Sequence, residues 1–416
     1  MNVSLFLAKR LRLKSEKSGR SRAAFAVPVY GVALSMVIML LTLAIVRGFR
    51  NEITRKIIGF DGQVMISRLD GELTGQQPIE KSSQLEETIR SAAPEASISY
   101  TVSVAGMLKT DDNFAAVYFR GYEPEDSRWD FVRSIMAEGE LPDYSLEDNR
   151  NTIIISRQTA RELKLKQGDK IPVYFFSNGN LRMRNYLIGG IFDSNFDDYD
   201  RAFAFASTDA LRSVAALDPN MADHIELSGL SRDRIARAAL DIDRLLARQY
   251  AAMAITDAYV VRSVLETNAL YFNWLDLLDT NVVVILTLMS AISIFTLISS
   301  LFILILERVN TIGTLKAIGA TNSLIRRTFI LMAAKIYVRG LIAGNVVGLG
   351  LIALQSITRL VKLNPESYYV SYVPVEISGG DILLLNAAAI AVGLLVMIVP
   401  SRIISRMQPS KILRFA

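Results

Sequence analysis

Few residues in this chain have the types and spacing that chemistry needs. Asp193, Asp197, Asp198 and Asp200 bring four carboxylates close together, the hard oxygen donors that calcium takes. They lack the spacing and the central glycine of an EF-hand loop, so the run is read as a solvated loop. His224 is the only histidine, which leaves no second ligand for a two-histidine metal site. It heads a strand pattern and is read as structural. The absence of cysteine excludes disulfides, thiolate nucleophiles and cysteine-held metal clusters. No glycine is followed by lysine, so the phosphate-cradling G-x-x-x-x-G-K-[ST] loop is missing. The chain therefore reads as non-catalytic, without a metal or cofactor of its own. If it uses nucleotide energy, the ATPase is a separate polypeptide.

The informative residues are of a docking kind. In Glu307–Phe329, Ile312, Leu315 and Ile318 share a helical face, Gly319 offers a stop, and Thr321 or Asn322 can cap a second helix. A short amphipathic helix, a break and another helix between two apolar runs suit a groove on a partner. A helix lying on lipid, as read for residues 3–13, is the other possibility. Further on, Gly340, Gly344 and Gly348 recur every fourth residue, which lets helix backbones approach closely in lipid, within the chain or between subunits. Lys335 and Arg339, one turn apart, are read as snorkelling to the interface; they could also meet acidic lipid or an acidic partner.

Four apolar runs must position these segments: Ala23–Val46, Val282–Leu306, Gly340–Thr358 and Ile382–Val399. With 51% hydrophobic and 21% charged residues, the whole is too apolar for an ordinary soluble protein and too charged for spans alone. The first run ends in Arg47-Gly48-Phe49-Arg50, not a small-residue cleavage site, and is read as a retained span. The organisation expected is a cytoplasmic amphipathic segment at 1–22, spans at 23–46, 282–306, 336–358 and 382–400, an outer domain at 47–281, a cytoplasmic loop at 307–335, a short outer loop at 359–381 and a tail at 401–416. Orientation follows from lysine and arginine. Lys9, Arg10 and Arg12, then Arg308, Lys316, Arg326 and Arg327, then Arg402, Arg406 and Arg414 all belong on the cytoplasmic side, with both termini. These loops account for the net charge of +5, so no nucleic acid is implied.

The outer domain reads as α+β, of two lobes. Strands are expected at Gln63–Ser67, Ser97–Leu108, Ala115–Gly121, Asn151–Ser156, Lys170–Phe176, Arg182–Ile191, Ala202–Ala206 and His224–Leu227. Helices are expected at Ser82–Ala93, Arg157–Leu163, Thr208–Ala215 and Ser231–Tyr250. Residues 47–58 continue the first helix through Phe49, Ile53 and Ile57, and Tyr259–Asp279 reads as a helix entering the second span, giving a pair of stalks.

Several stretches match a known family. FLAKRL before the first span, GFRNEITRKIIGFDGQVMI after it, ERVNTIGTLKAIGAT at 307–321 and the Gln408–Arg414 ending resemble the FtsX/MacB superfamily of ABC transporter permeases, most of all the LolC/LolE lipoprotein-releasing branch. Glu138-Gly139-Glu140-Leu141-Pro142, Ile153-Ile154-Ile155-Ser156 and Gly168-Asp169 fit its outer-domain pattern. The resemblance implies a type VII permease fold in a bacterial inner membrane, with a large periplasmic domain between the first two of four transmembrane helices. It implies a second permease chain, a paralogue or a copy, over a separate LolD-like ABC ATPase dimer that binds ATP and magnesium. Thr311, Ile312, Leu315, Lys316, Ile318, Gly319 and Ala320 would dock on that ATPase. The cargo would be an acylated lipoprotein passed toward the outer membrane, with Val37, Leu40, Leu41, Leu286, Met289 and Ile292 as the lipid- or cargo-facing side chains. A periplasmic carrier would be held by a hairpin, and the corresponding Phe176–Tyr186 reads as short and polar. An FtsX-like scaffold activating a cell-wall hydrolase and a MacB-like efflux component are the alternatives. FtsX outer domains are usually smaller, and MacB carries an N-terminal ATPase.

Overall fold

The computed structural model describes residues 19–69, 77–177 and 180–406. The N-terminal FLAKRL, residues 3–13, the Asn178-Gly179 hairpin tip and the Gln408–Arg414 ending lie outside them. In chain order the elements begin with α1 (Gly19–Asp61), β1 (Val64–Arg68), β2 (Ile79–Glu80), α2 (Ser83–Ala92), β3 (Ser97–Lys109) and β4 (Phe114–Gly121). Next come α3 (Arg128–Ser134), β5 (Met136–Gly139), β6 (Thr152–Ser156), α4 (Arg157–Leu163), β7 (Lys170–Ser177) and β8 (Asn180–Phe192). Then follow α5 (Asp197–Ala202), β9 (Phe203–Ala206), α6 (Thr208–Ala215), β10 (Met221–Ala222), β11 (His224–Ser228) and α7 (Arg232–Ala251). The chain closes with β12 (Tyr259–Ser263), α8 (Val264–Thr267), α9 (Ala269–Glu307), α10 (Val309–Ala317), α11 (Asn322–Thr358), α12 (Pro365–Tyr368) and α13 (Gly379–Arg406).

Internal contacts divide the chain into two units. The first comprises Met1–Arg50, Leu275–Lys362 and Tyr372–Ala416; the second comprises Asn51–Trp274 and Leu363–Ser371. Among the described residues, four helices, α1, α9, α11 and α13, are long and apolar enough to cross a membrane. In the first unit they share one core, built from Val32, Met36 and Leu40 of α1, Leu297 and Leu301 of α9, Tyr337 and Leu341 of α11, and Leu385 and Met397 of α13. Asn345 and Asn386 exchange amide hydrogen bonds of 2.8 and 3.0 Å between α11 and α13. Such amide pairs bind apolar helices together where lipid offers no other partner.

The glycine stripe packs within the chain. A Cβ at Gly340 would lie 2.8 Å from Val32, one at Gly344 would lie 2.7 Å from the carbonyl oxygen of Ala33, and one at Gly348 would lie 2.9 Å from Leu40. The third apolar helix thus lies backbone to backbone on the first. Gly344→Val is expected to destabilise the bundle by about 3 kcal/mol, since the clash is with main chain that has nowhere to move. A melting midpoint in detergent matching that of the unsubstituted protein would refute this.

The second unit is built on a ten-stranded sheet in the order β12-β1-β11-β3-β4-β9-β6-β8-β5, with β7 paired to β3 and β8. β3 joins two halves of this sheet. Its first half pairs with β11 (Ser97 opposite Ser228) and its second with β4 and β7. β6 is buried along its whole length, as its run of isoleucines requires. The stretch Tyr259–Asp279 is not one helix. Tyr259–Ser263 pairs antiparallel with β1, the β-branched Val260 and Val261 extending the sheet. Ser263 then starts α8 with a capping box to Glu266.

Candidate functional site

The segment between α9 and α11 is a short helix with a defined stop. α10 ends at Ala317, Gly319 adopts φ +91°, and Thr321 accepts a hydrogen bond from the Leu324 amide to start α11. The apolar face expected here is divided. Ile312 is fully buried with Ile305, Ile325, Phe329 and Met332, and Leu315 and Ala320 pack against that cluster. Ile318 points outward, 77% exposed, beside the exposed Ala317 and Gly319; Thr311 and Lys316 are half-buried. The structure therefore brings Ile312, Leu315 and Ala320 together inward and leaves Ile318 at the turn as the apolar group free to meet another surface. Lys335 is half-buried and Arg339 exposed.

The six residues expected to face lipid or cargo do not form one face. Leu40 is core, and Leu41, Leu286 and Met289 pack against the core cluster. Val37 is half-buried and Ile292 is exposed.

In the outer unit, α1 ends inside the domain. Ile53, Ile57 and Phe60 are fully buried, and Phe60 stacks on Tyr199 with ring centroids 4.8 Å apart. Gly62, at φ +71°, donates its amide to Ile58 O and closes the helix. The carbonyls left over at this terminus are met by cations. Arg128 donates to Ile58 O at 2.9 Å and to Phe60 O at 3.0 Å, and Arg120 also donates to Phe60 O. Guanidinium groups suit the negative end of a helix.

Both arginines are themselves held by Glu226 of β11, whose side chain is fully buried. Arg128 lies 2.6 Å and Arg120 3.6 Å from its carboxylate. His224 places Nε2 2.9 Å from Glu226 and Nδ1 3.0 Å from Asp223, so both ring nitrogens face carboxylates. Asp61 bridges onward, to Arg120 at 3.5 Å, to the Asn268 amide at 2.9 Å, and to the Tyr199 hydroxyl, which donates to it. The last turn of α1 and the residue before α9 are thereby fastened to one another and to the sheet.

Electrostatics follow from this arrangement. Burial opposes the imidazolium, yet the hydrogen bonds and charges of Asp223 and Glu226 outweigh it and raise His224 to about 9. Burial likewise opposes the Glu226 carboxylate, but Arg128 and Arg120 hold it down at about 2. A histidine raised above its unfolded value adds stability that is complete below pH 6.5 and is lost as pH rises through 9. For Glu226 the loss comes as pH falls from 4.5 toward 2. With one histidine in the chain, imidazole NMR reads a single titration. The expected midpoint is near 9, and a midpoint at the ordinary 6.5 would contradict the two-carboxylate contact.

The acidic run is not a solvated loop. Asp197 begins α5, Asp193 pairs with Arg157 at 2.5 Å, and Asp198 accepts from Tyr271. Asp200 is buried, hydrogen-bonded to Ser194, and raised to about 6 by that burial. Among the described residues no three His, Cys, Asp or Glu side chains form a metal-holding group. Sequence reasoning also missed that Leu363–Ser371, from the short loop, belongs to the outer unit. Lys56 donates to Tyr369 O at 2.8 Å, and Tyr369 packs on Phe196 at 4.7 Å. On the β7–β8 hairpin, read as polar, Phe176, Leu181 and Met183 are exposed apolar side chains.

Comparison with known proteins supplies the remaining findings. The MacB-like periplasmic core domain model matches residues 26–239, and the FtsX-like permease C-terminal model matches residues 283–409. The chain is similar to the lipoprotein-releasing system transmembrane protein LolC of Neisseria meningitidis serogroup B, 23% identical with 100% of this chain and 99% of that protein covered. It is also similar to LolE of Haemophilus influenzae, 20% identical with 99% of each covered. Among solved structures, the periplasmic region of MacB from Actinobacillus actinomycetemcomitans aligns at TM-score 0.33 and 11% identity, covering 52% of this chain and 95% of that one.

Proposed function

The chain belongs to the MacB-like periplasmic core domain family, joined here to an FtsX-like permease C-terminal region, and from that premise we propose how it works. It is an ABC permease of the lipoprotein-release type, a non-catalytic membrane component. In the proposed reading it spans a bacterial inner membrane with both termini cytoplasmic and residues 47–281 periplasmic. A separate ATPase dimer closes on ATP and magnesium beneath it and a second permease chain. That closure moves α10 and, through α9 and α11, the bundle and the outer domain, so that an acylated lipoprotein is lifted from the membrane.

The observation that carries this reading is the α10 turn. A helix packed by Ile312 against α9 and α11, with Ile318 exposed at its stop, is suited to passing on a push. The basic excess of Arg308, Arg326 and Arg327 supports placing that turn in the cytoplasm. Exposed Phe176, Leu181 and Met183 on the β7–β8 hairpin support contact with a periplasmic carrier.

The test is purification of the native complex in mild detergent, with mass spectrometry of everything retained, followed by reconstitution. A separate ATPase, a second permease and triacylated lipoprotein, with ATP-dependent release from proteoliposomes, is the expected result. An ATPase retained with a hydrolase or its activator, and no lipoprotein, would replace this reading with the signalling one. Absence of any ATPase would overturn both.

A further inference from the structure

The bundle contains an apolar slot of about 320 Å³ that the coupling segment does not explain. Its floor is made by buried Met39 of α1, Ser293 of α9 and Gly393 of α13; its mouth by exposed Thr287 of α9 and Ala388 of α13. One wall is Tyr337 of α11. A Cβ at Gly393 would lie 2.3 Å from its ring, so the ring rests on bare backbone, and its hydroxyl donates to Ala389 O at 2.7 Å. That hydrogen bond fixes the wall and spends the hydroxyl. The Thr287 hydroxyl is spent likewise, on Val283 O at 2.7 Å. Two further hydroxyls line the slot, Ser290, which donates to Met39 Sδ at 4.0 Å, and the buried Ser293. The other lining side chains, among them Leu286, Ile294, Leu297 and Leu385, are hydrocarbon, so the slot offers a ligand mainly apolar surface.

We propose that this slot binds a single hydrocarbon chain, entering from the bilayer between α9 and α13. A cavity of about 150 Å³ takes benzene, so one of this size takes on the order of a dozen carbons. An α-helix from another subunit, about 10 Å across, cannot enter it. The same chain chemistry is offered by a membrane phospholipid and by an acylated polypeptide. The proposal rests on the permease reading only in placing α9 and α13 within a bilayer, and it concerns a site inside one chain.

The full chain, with its co-purifying subunits, is placed in lipid nanodiscs with one of two photoprobes. The first is phosphatidylethanolamine bearing a mid-chain diazirine; the second is a synthetic triacylated lipopeptide bearing the same group. Labelling is expected on peptides from 286–297 and from 384–393 together. Ser290→Phe, which fills the slot, and Ala388→Trp, which blocks its exposed mouth without touching the core, should each cut that labelling about tenfold and leave labelling at outward Leu395 unchanged. Labelling by the phospholipid alone assigns a resident lipid, and labelling by the lipopeptide assigns a cargo chain. Undiminished labelling in Ala388→Trp, or slot residues labelled no more than Leu395, would overturn the proposal. Lipoprotein release by the unsubstituted complex, measured in parallel, tests the permease reading separately.

Discussion

Glu226→Gln is expected to lower the stability of the outer domain by about 3–5 kcal/mol, the effect of stranding buried cations without their counter-charge. Glu226 is fully buried and is the shared partner of Arg120, Arg128 and His224. Glutamine keeps the shape but cancels the charge, leaving Asp61 and Asp223 at the edges of the cluster to offset three cations. In the full-length protein in detergent, a loss of this size lowers the outer-domain melting midpoint by roughly 10 °C. Hydrogen exchange should rise first in residues 58–62, because the arginines that hold Ile58 O and Phe60 O depend on Glu226 for their position. Adding Arg128→Met should cost less than its effect in the unsubstituted protein, with a coupling of about 1 kcal/mol or more. A change below about 1 kcal/mol in the single variant would mean that the remaining carboxylates suffice, and the central role given to Glu226 would fall.

What the sequence made legible was local. The helix expected at Arg157–Leu163 is α4 to the residue, and in the structure the Ser156 side chain starts it by accepting from the Thr159 amide. The spacing of Ile53 and Ile57 marks the extension of α1 beyond its apolar run. β12 was misread because adjacent apolar pairs, Val260-Val261 and Val264-Leu265, satisfy helical and strand periods alike. The Ser263-x-x-Glu266 capping box, visible in the sequence, was the signal that would have divided strand from helix. The glycine stripe announced close packing but could not name its partner, which is α1 of the same chain. The charge cluster was out of reach for a different reason. Asp61, the neighbouring Arg120 and Arg128, and Glu226 come from three distant segments, and only the sheet order brings them together. One hint was present: a glutamate in the run His224-Ile225-Glu226-Leu227 of a strand that proves buried must find a cation. The tie between Lys56 and Tyr369 had no hint at all, since a backbone carbonyl as partner leaves no mark in side-chain types.

Ile318→Asp is expected to abolish energy coupling while leaving the protein folded. The face that periodicity assigns to docking holds Ile312, Leu315 and Ile318, but the first is fully buried and the second packs on the same internal cluster. Leu315→Asp would therefore put a charge against the core and confuse misfolding with lost contact. Ile318 is 77% exposed at a turn whose geometry is set by Gly319, so a carboxylate there is fully hydrated and disturbs nothing inside. If that side chain is the apolar anchor seated in a groove of the ATPase, burying a carboxylate in its place costs about 2 kcal/mol or more, a roughly thirty-fold loss of affinity. The expected result is an unchanged melting midpoint, loss of the co-purifying ATPase and release activity at background. Ile312→Asp supplies the contrast, since it should lower the melting midpoint as well. An Ile318→Asp protein that retains its ATPase in full would show that the contact lies elsewhere in 307–335, with the exposed positions Thr314 and Ala317 next to be replaced.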